Sequence, residues 1–247
     1  MAAPARLDVT LPVYNEAHVL EPSVRALHAF LSDNMAAYEW RILIADNGST
    51  DGTLDVGQRL ASQLTGVEVM RIPEAGRGRA LSRAWLASDA DLLSYMDIDL
   101  STDLAAFPAL VEAVSQRGCD VAAGSRLSRG SDTTRSLKRE VLSRGFVALI
   151  NLPFRTHLQD TQCGFKAIRR ECAQQLLPLV LDTGWFWDTE LLLLAEKGGW
   201  RIDFVPVHWV EDQDSRVKIT QTVWRDLKGL WRMWRFDWGK ARKRAEA

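Results

Sequence analysis

Five short apolar runs, LDVTLPV (7–13), WRILIAD (40–46), VEVMRI (67–72), DLLSYMD (91–97) and DVAAGS (120–125), alternate with segments of helical periodicity. Val19, Val24, Leu27 and Leu31 fit one helix face. So do Leu54, Leu60 and Leu64; Leu81, Trp85 and Leu86; and Phe107, Leu110, Val111 and Val114. Strands that are apolar on both faces must be covered on both, which β-α alternation achieves with helix layers on either side of a parallel sheet. The expected class is α/β, a Rossmann-like, mostly parallel sheet flanked by helices. Ligands of such sheets bind beyond the carboxyl ends of the strands, so the residues that end each run carry the functional information.

The second half is less regular. Residues 126–160 are rich in Arg and Ser and show no clear strand; FWDTELLLLAEK (186–197) reads as a buried helix stopped by Gly198 and Gly199. WRIDFVPVHWV (200–210) reads as a strand. At 247 residues and 47% hydrophobic content, the chain is expected to form one large domain. The net charge of −1 gives no bulk attraction to nucleic acid. Cys119, Cys163 and Cys172 form no C-x-x-C pair, and the four histidines lack zinc-ligand spacing, so reduced thiols and no zinc are expected. MAAPARLDVTLPV has no sustained apolar core for a secretory signal, and no run is long enough to span a bilayer. A cytoplasmic protein, at most peripherally bound to membrane, is expected.

The strand ends are polar in a particular way. The first run leads into PVYNEA (12–17) and the second into ADNGSTDGT (45–53), where Ser49 or Asp51 can cap the next helix and Asp46 closes a buried strand. A carboxylate in that place suits a nucleobase or ribose. EAGRGRA (74–80) opens a helix with two glycines around Arg77, fit either for an anion or for an ordinary turn. The fourth run ends in DIDLS (97–101). In extended chain, Asp97, Asp99 and Ser101 point to one side and can present hard oxygen ligands to Mg²⁺ or Mn²⁺, which also take substrate phosphates.

PVYNEA, ADNGSTDGT, GRG, DIDLS, GSR (124–126) and DTQCGFKAIRR (160–170), in that order, resemble the family 2 inverting glycosyltransferases of GT-A fold. More narrowly, they resemble the polyprenyl-phosphate glycosyltransferases, the dolichyl-phosphate β-glucosyltransferase and dolichol-phosphate mannose synthase types. The resemblance spans about residues 7–220 and implies a GT-A domain over 1–218. It implies that Pro12, Tyr14, Glu16 and Asp46 hold the nucleoside of a nucleotide-sugar, with Arg77 near them, and that Asp97 and Asp99, assisted by Ser101, hold the metal. Many relatives carry a Gly-x-Ser-Lys segment where this chain has EDQDSRVK (211–218), so Arg216 would stand for that lysine at the diphosphate. Family members often have a second acid at the position of Asn47.

The implied reaction moves a hexose, from UDP-glucose first and GDP-mannose second, onto a polyprenyl phosphate. That acceptor is already anionic at neutral pH, with a second pKa of about 6, and needs cations more than a base. Arg126, Arg129, Arg135, Lys138 and Arg139 form a basic run suited to it. Asp160 and Glu190 are the candidates for a base or orienting carboxylate, Glu190 equally for an arginine partner, and Asp188 is a weaker one. Residues 219–247 form a Trp/Arg-rich amphipathic helix and basic tail, with Trp224, Leu227, Trp231, Trp234 and Trp238 on one face. Such a helix suits a membrane interface, or else packs on the domain or on a second copy or partner protein. Residues 137–150 suggest a second such surface. Transfer to a saccharide hydroxyl, and nucleotide binding without turnover, are the rival readings.

Overall fold

The computed structural model describes residues 4–134, 137–210 and 219–242. The first half alternates as the periodicity predicts: β1 (Arg6–Val13), α1 (Ala17–Asn34), β2 (Glu39–Asp46), α2 (Thr53–Gln63), β3 (Val67–Arg71), α3 (Arg77–Ala87), β4 (Leu92–Met96), α4 (Phe107–Ser115) and β5 (Val121–Ser125). The second half contributes β6 (Asp132–Thr134), α5 (Leu137–Phe154), β7 (Phe165–Arg169), α6 (Arg170–Leu176), α7 (Trp187–Gly198), β8 (Ile202–Pro206), β9 (His208–Val210) and α8 (Ile219–Trp234).

Seven strands form one sheet in the order β3-β2-β1-β4-β7-β5-β8. The chain builds outward from β1 through β2 to β3, then crosses back to place β4 on the other side of β1. That reversal makes the β1/β4 junction the topological switch point, where loops diverge and a crevice opens. One face packs Leu20, Val24, Leu27 and Leu31 of α1 with Phe107, Leu110 and Val111 of α4. The other packs Leu81 and Trp85 of α3 with Trp187 and Leu191–Leu194 of α7.

Three departures from the sequence expectation shape the site. FKAIR becomes a strand, β7, wedged antiparallel between β4 and β5. Its lysine and arginine hide the apolar pattern that would announce it. Running against its neighbours, β7 begins where they end, so the DTQCG segment (160–164) that precedes it joins their carboxyl-end loops. The 200–210 run splits after Pro206, β8 extending the large sheet and β9 pairing with β6, a strand inside the stretch expected to hold none.

The third departure concerns α8. It packs through Gly229, Leu230 and Met233, with Leu230 and Met233 in the same core as α7. A Cβ at Gly229 would collide with the Phe186 ring, so the helix approaches as closely as glycine permits. Trp224, Leu227, Trp231 and Trp234 face outward, between 41% and 69% exposed. Trp238, expected on that face, lies past the helix end and packs on Phe154 and Phe236 instead, at ring separations of 5.9 and 5.3 Å.

Candidate active site

The ends of β1 and β2 make the first wall. Val13 and Asp46 are register partners, and Asp46 is wholly buried. Its Oδ1 accepts from the Ser49 amide at 3.3 Å, whereas Oδ2 has no partner among the described residues. A buried carboxylate oxygen without a donor is costly, and a ligand N–H or O–H would satisfy it. The two loops are laced together: Asn15 N donates to Ser49 Oγ (3.0 Å), Thr50 N to Asn15 Oδ1 (2.8 Å) and Glu16 N to Thr53 Oγ1 (2.8 Å). Asp51, not Ser49, accepts from the first-turn amide of Thr53 (2.9 Å). Pro12 is buried in β1, Glu16 half-buried and Tyr14 exposed at the rim.

The second wall starts at the end of β4. Ile98 is buried while Asp97 is half-buried and Asp99 exposed, but β4 ends at Met96 and residues 97–100 form a turn, with the Leu100 amide donating to the Asp97 carbonyl at 3.2 Å, in place of the extended chain expected. Asp99 Oδ1 accepts from the Ser101 amide at 2.9 Å, closing a tight turn in which Leu100 takes a left-handed φ of 50°. Gly164, at the head of β7, accepts the Asp97 amide on its carbonyl at 3.1 Å. A Cβ at Gly164 would collide with the Asp97 carboxylate, so glycine there makes the space that this carboxylate occupies. Asp97, held in a cradle, and the exposed Asp99 are hard oxygen ligands of the kind a divalent cation combines with phosphate and water. Among the described residues no group of three or more His, Cys, Asp or Glu side chains is gathered, here or elsewhere.

Behind these carboxylates lies a buried charge cluster. The α3 backbone starts beside the first wall, where Gly76 N donates to Asn47 Oδ1 at 2.7 Å. The Arg77 side chain then reaches across to Asp97 Oδ1 (2.7 Å) and Asp188 Oδ2 (2.6 Å), with its guanidinium 5.0 Å from the Tyr95 and Trp185 ring centroids. Lys166, fully buried and paired in register with Tyr95, is 2.8 Å from Asp188 Oδ1 and donates to the Cys163 carbonyl at 2.6 Å. The Tyr95 hydroxyl donates to Asp188. Burial alone would raise the Asp188 pKa; Lys166, Arg77 and Tyr95 outweigh it and hold the carboxyl below its usual range. Burial pushes the neighbouring Cys163 thiol up to about 12, which leaves it no nucleophilic role at neutral pH.

The candidate bases are both committed to arginines. Asp160, 2% exposed, forms a fork with Arg126 (Nε–Oδ2 2.8 Å, Nη2–Oδ1 3.0 Å) and accepts from the amides of Arg126 and Gln162. Burial opposes its ionisation, but Arg126 prevails and its pKa is lowered. Glu190, 1% exposed, accepts from the amides of Leu181 (3.2 Å) and Asp182 (2.7 Å) and from Arg232 of α8 (2.8 Å). Of the two roles open to Glu190, the structure shows the arginine pair. Beyond Arg126, a groove of about 520 Å³ runs between Arg129 and α5, lined also by Leu127, Arg144, Val147 and Ala148. Arg135 and Arg216 lie outside the described residues, as do the side chains of Lys138 and Arg139.

Sequence reasoning missed Lys166 and Tyr95 and undervalued Asp188. Their signal was a lysine inside an apolar five-residue run and an acid two residues into a buried helix. Neither reveals its partner until β7 is seen to pair with β4.

The glycosyl transferase family 2 model matches residues 8–177. The glycosyltransferase AglD of Haloferax volcanii is 37% identical over 93% of this chain, which spans 36% of that protein's length. The dolichyl-phosphate beta-glucosyltransferase of Drosophila melanogaster is 31% identical over 91% of this chain and 74% of its own. Among solved structures, glucosyl-3-phosphoglycerate synthase from Mycobacterium tuberculosis, in complex with uridine diphosphate, aligns with a TM-score of 0.71. It is 21% identical, with 94% of this chain and 81% of that one covered.

Two outcomes follow from this geometry. Gly164→Ala should displace the Asp97 carboxylate and weaken metal-dependent nucleotide binding at least tenfold with the circular dichroism spectrum unchanged; titration calorimetry with Mn²⁺ checks it. Lys166→Met leaves Asp188 short of a cation and should cost about 3 kcal/mol or more in urea denaturation. The pH dependence has a definite sign, because the folded pKa of Asp188 is depressed. Its contribution is complete above the unfolded carboxylate pKa of about 4 and is lost as pH falls through the lower folded value. That acid-side loss should shrink in Lys166→Met.

Proposed function

The chain belongs to glycosyl transferase family 2, and from that membership we propose that it transfers a hexose from a nucleotide-sugar to a polyprenyl phosphate. UDP-glucose is the favoured donor and GDP-mannose the second. The observation that carries the reading is the Asp97–Asp99 pair at the switch point, two strands from the unsatisfied oxygen of Asp46. Two strand spacings of about 4.8 Å separate the ends of β2 and β4 by about 10 Å, a span that supports reading them as the nucleoside and cation walls for a nucleoside diphosphate. Similarity to dolichyl-phosphate beta-glucosyltransferases supports the acceptor class.

In this reading Pro12, Tyr14, Glu16 and Asp46 hold the nucleoside, and Asp97, Asp99 and Ser101 hold Mg²⁺ or Mn²⁺. That ion would neutralise the departing diphosphate. Arg77 balances the carboxylates behind it, and Arg216 is assigned to the diphosphate. The acceptor phosphate oxygen bonds to the anomeric carbon from the face opposite the diphosphate as that bond breaks, so the configuration inverts. Arg126, oriented by Asp160, lies toward the acceptor with Arg129; Arg135, Lys138 and Arg139 extend the same basic run. A phosphate acceptor needs no proton removed. This favours it over a saccharide hydroxyl, because Asp160, Asp188 and Glu190 are each taken up by cations.

The acceptor lipid also accounts for the outer surface. Lys228 and Arg235 lie 5.5 and 5.0 Å from the exposed rings of Trp224 and Trp231, an apolar ridge edged with cations. On α5, whose Arg144, Val147 and Ala148 line the groove, Val141, Leu142, Leu149 and Leu152 are exposed. No helix among the described residues is long and apolar enough to cross a membrane. We assign both faces to the cytoplasmic membrane surface, approached peripherally.

The deciding experiment supplies radiolabelled UDP-glucose or GDP-mannose, Mg²⁺ or Mn²⁺, and a short polyprenyl phosphate. Label should enter the organic phase with one donor only, and Asp99→Asn should reduce the rate at least 100-fold without loss of fold. Transfer to soluble saccharide instead would reverse the acceptor assignment. Replacing Trp224, Trp231 and Trp234 together by Ser should lower sedimentation with anionic liposomes at least tenfold; unchanged sedimentation would make the ridge a protein contact.

A further inference from the structure

Trp185 is a large aromatic residue beside the carboxylates of the site that packing does not account for. Trp85, Tyr95 and Trp187 are at most 1% exposed, with Trp187 edge to face on both of the others and Trp85 tilted against Tyr95. Trp185, on the segment leading into α7, is 44% exposed. Arg77 covers one face of its ring, with the guanidinium 5.0 Å from the centroid, and the same guanidinium is 2.7 Å from Asp97. The indole therefore stands one side chain away from the cation wall.

The segment that carries it is held from several directions. Glu190 accepts the amides of Leu181 and Asp182, Asp182 Oδ1 accepts the Gly184 amide at 2.8 Å, and the Thr183 carbonyl accepts the Arg79 amide at 3.2 Å. The close approach of that carbonyl is also what glycine at position 76 permits: a Cβ there would be 2.7 Å from it. So the exposed indole is not on a loose tip. A rigid, half-open aromatic ring among carboxylates and arginines is a ready surface for a flat apolar face that also carries polar groups.

We propose that Trp185 is the platform for the donor's hexosyl ring, which stacks its C–H face on the open part of the indole while Arg77 backs the other side. This rests on the nucleotide-sugar reading above and adds the sugar subsite to it. The placement follows from the walls already described. The nucleoside lies over β2 and β1 and the diphosphate at Asp97 beside β4, so the hexose, one bond further, projects over β7 and the start of α7. Asp188 and Glu190 are buried and paired with cations, so neither offers an apolar face there, and the indole does.

The test is calorimetric binding of UDP, UDP-glucose, GDP and GDP-mannose with Mg²⁺ to the full chain, as wild type, Trp185→Ala and Trp185→Phe. The expected result is that Trp185→Ala weakens the preferred nucleotide-sugar about tenfold and its parent nucleotide less than twofold, because Arg77 keeps its two ion pairs. Trp185→Phe should recover most of the loss. Equal weakening of nucleotide and nucleotide-sugar would overturn the proposal in favour of a base or diphosphate contact, and no change in either would overturn it outright. If the wild type binds none of the four, the donor reading itself fails. That outcome is separate from the platform failing in a protein that binds them. Should Trp185→Ala not fold, the comparison rests on Trp185→Phe and Trp185→Leu, with the latter expected to lose the selective effect.

Discussion

Two cations, Arg77 and Lys166, and two carboxylates, Asp97 and Asp188, meet around the Tyr95 hydroxyl, mostly out of water. Ions in such a place are tolerable only when each is paired and hydrogen-bonded, since an unpartnered one costs several kcal/mol. The requirement couples parts of the chain that are far apart in sequence. Arg77 comes from the start of α3, Tyr95 and Asp97 from β4, Lys166 from β7 and Asp188 from α7. Moving any one would leave a buried charge uncompensated, so the cluster locks the register of β7 against β4 and the position of α7 above both.

That lock explains how a chain with an ordinary α/β first half completes its site. The parallel strands deliver Asp46 and Asp97 to one edge by topology alone. The antiparallel insertion of β7 brings Asp160 and Gly164 to the same edge, one to orient Arg126 and the other to leave room for Asp97. The carboxylates that look like bases in the sequence are mostly consumed in orienting cations. An arrangement of this kind preorganises charge and leaves these acids paired; under the proposed function it suits an acceptor that is itself a phosphate.

The outer helices show the same division of labour. Glu190 ties α8 to the segment 181–185, and Gly229 lets it sit against Phe186, which together decide that Leu230 and Met233 go inward. The tryptophan ridge is then left outside by geometry. A helix with two apolar faces has no preference between them until a neighbour offers a surface, and here α7 offers it to the smaller residues.

The alternation of apolar runs with helical periodicity determined the α/β class and the limits of the first five strands within about a residue. The reason is that a strand buried on both faces cannot be written any other way. The place of Asp97 at the end of a buried strand was equally legible, whereas the turn at 97–100 that follows it was not, because extended alternation stops with β4 at Met96. Neither β7 nor the inward face of α8 was legible: Lys166 hid the first, and Trp224, Trp231 and Trp234, which announced the outward face of the second, gave no sign that Leu230 and Met233 would pack inward. Whether an acid is a base or an arginine's partner is decided by which cation the fold brings within 3 Å. For Asp160, Asp188 and Glu190 those cations come from residues between 22 and 111 positions away. Local sequence specifies what a residue can do, and only long-range packing in three dimensions chose what each of these does.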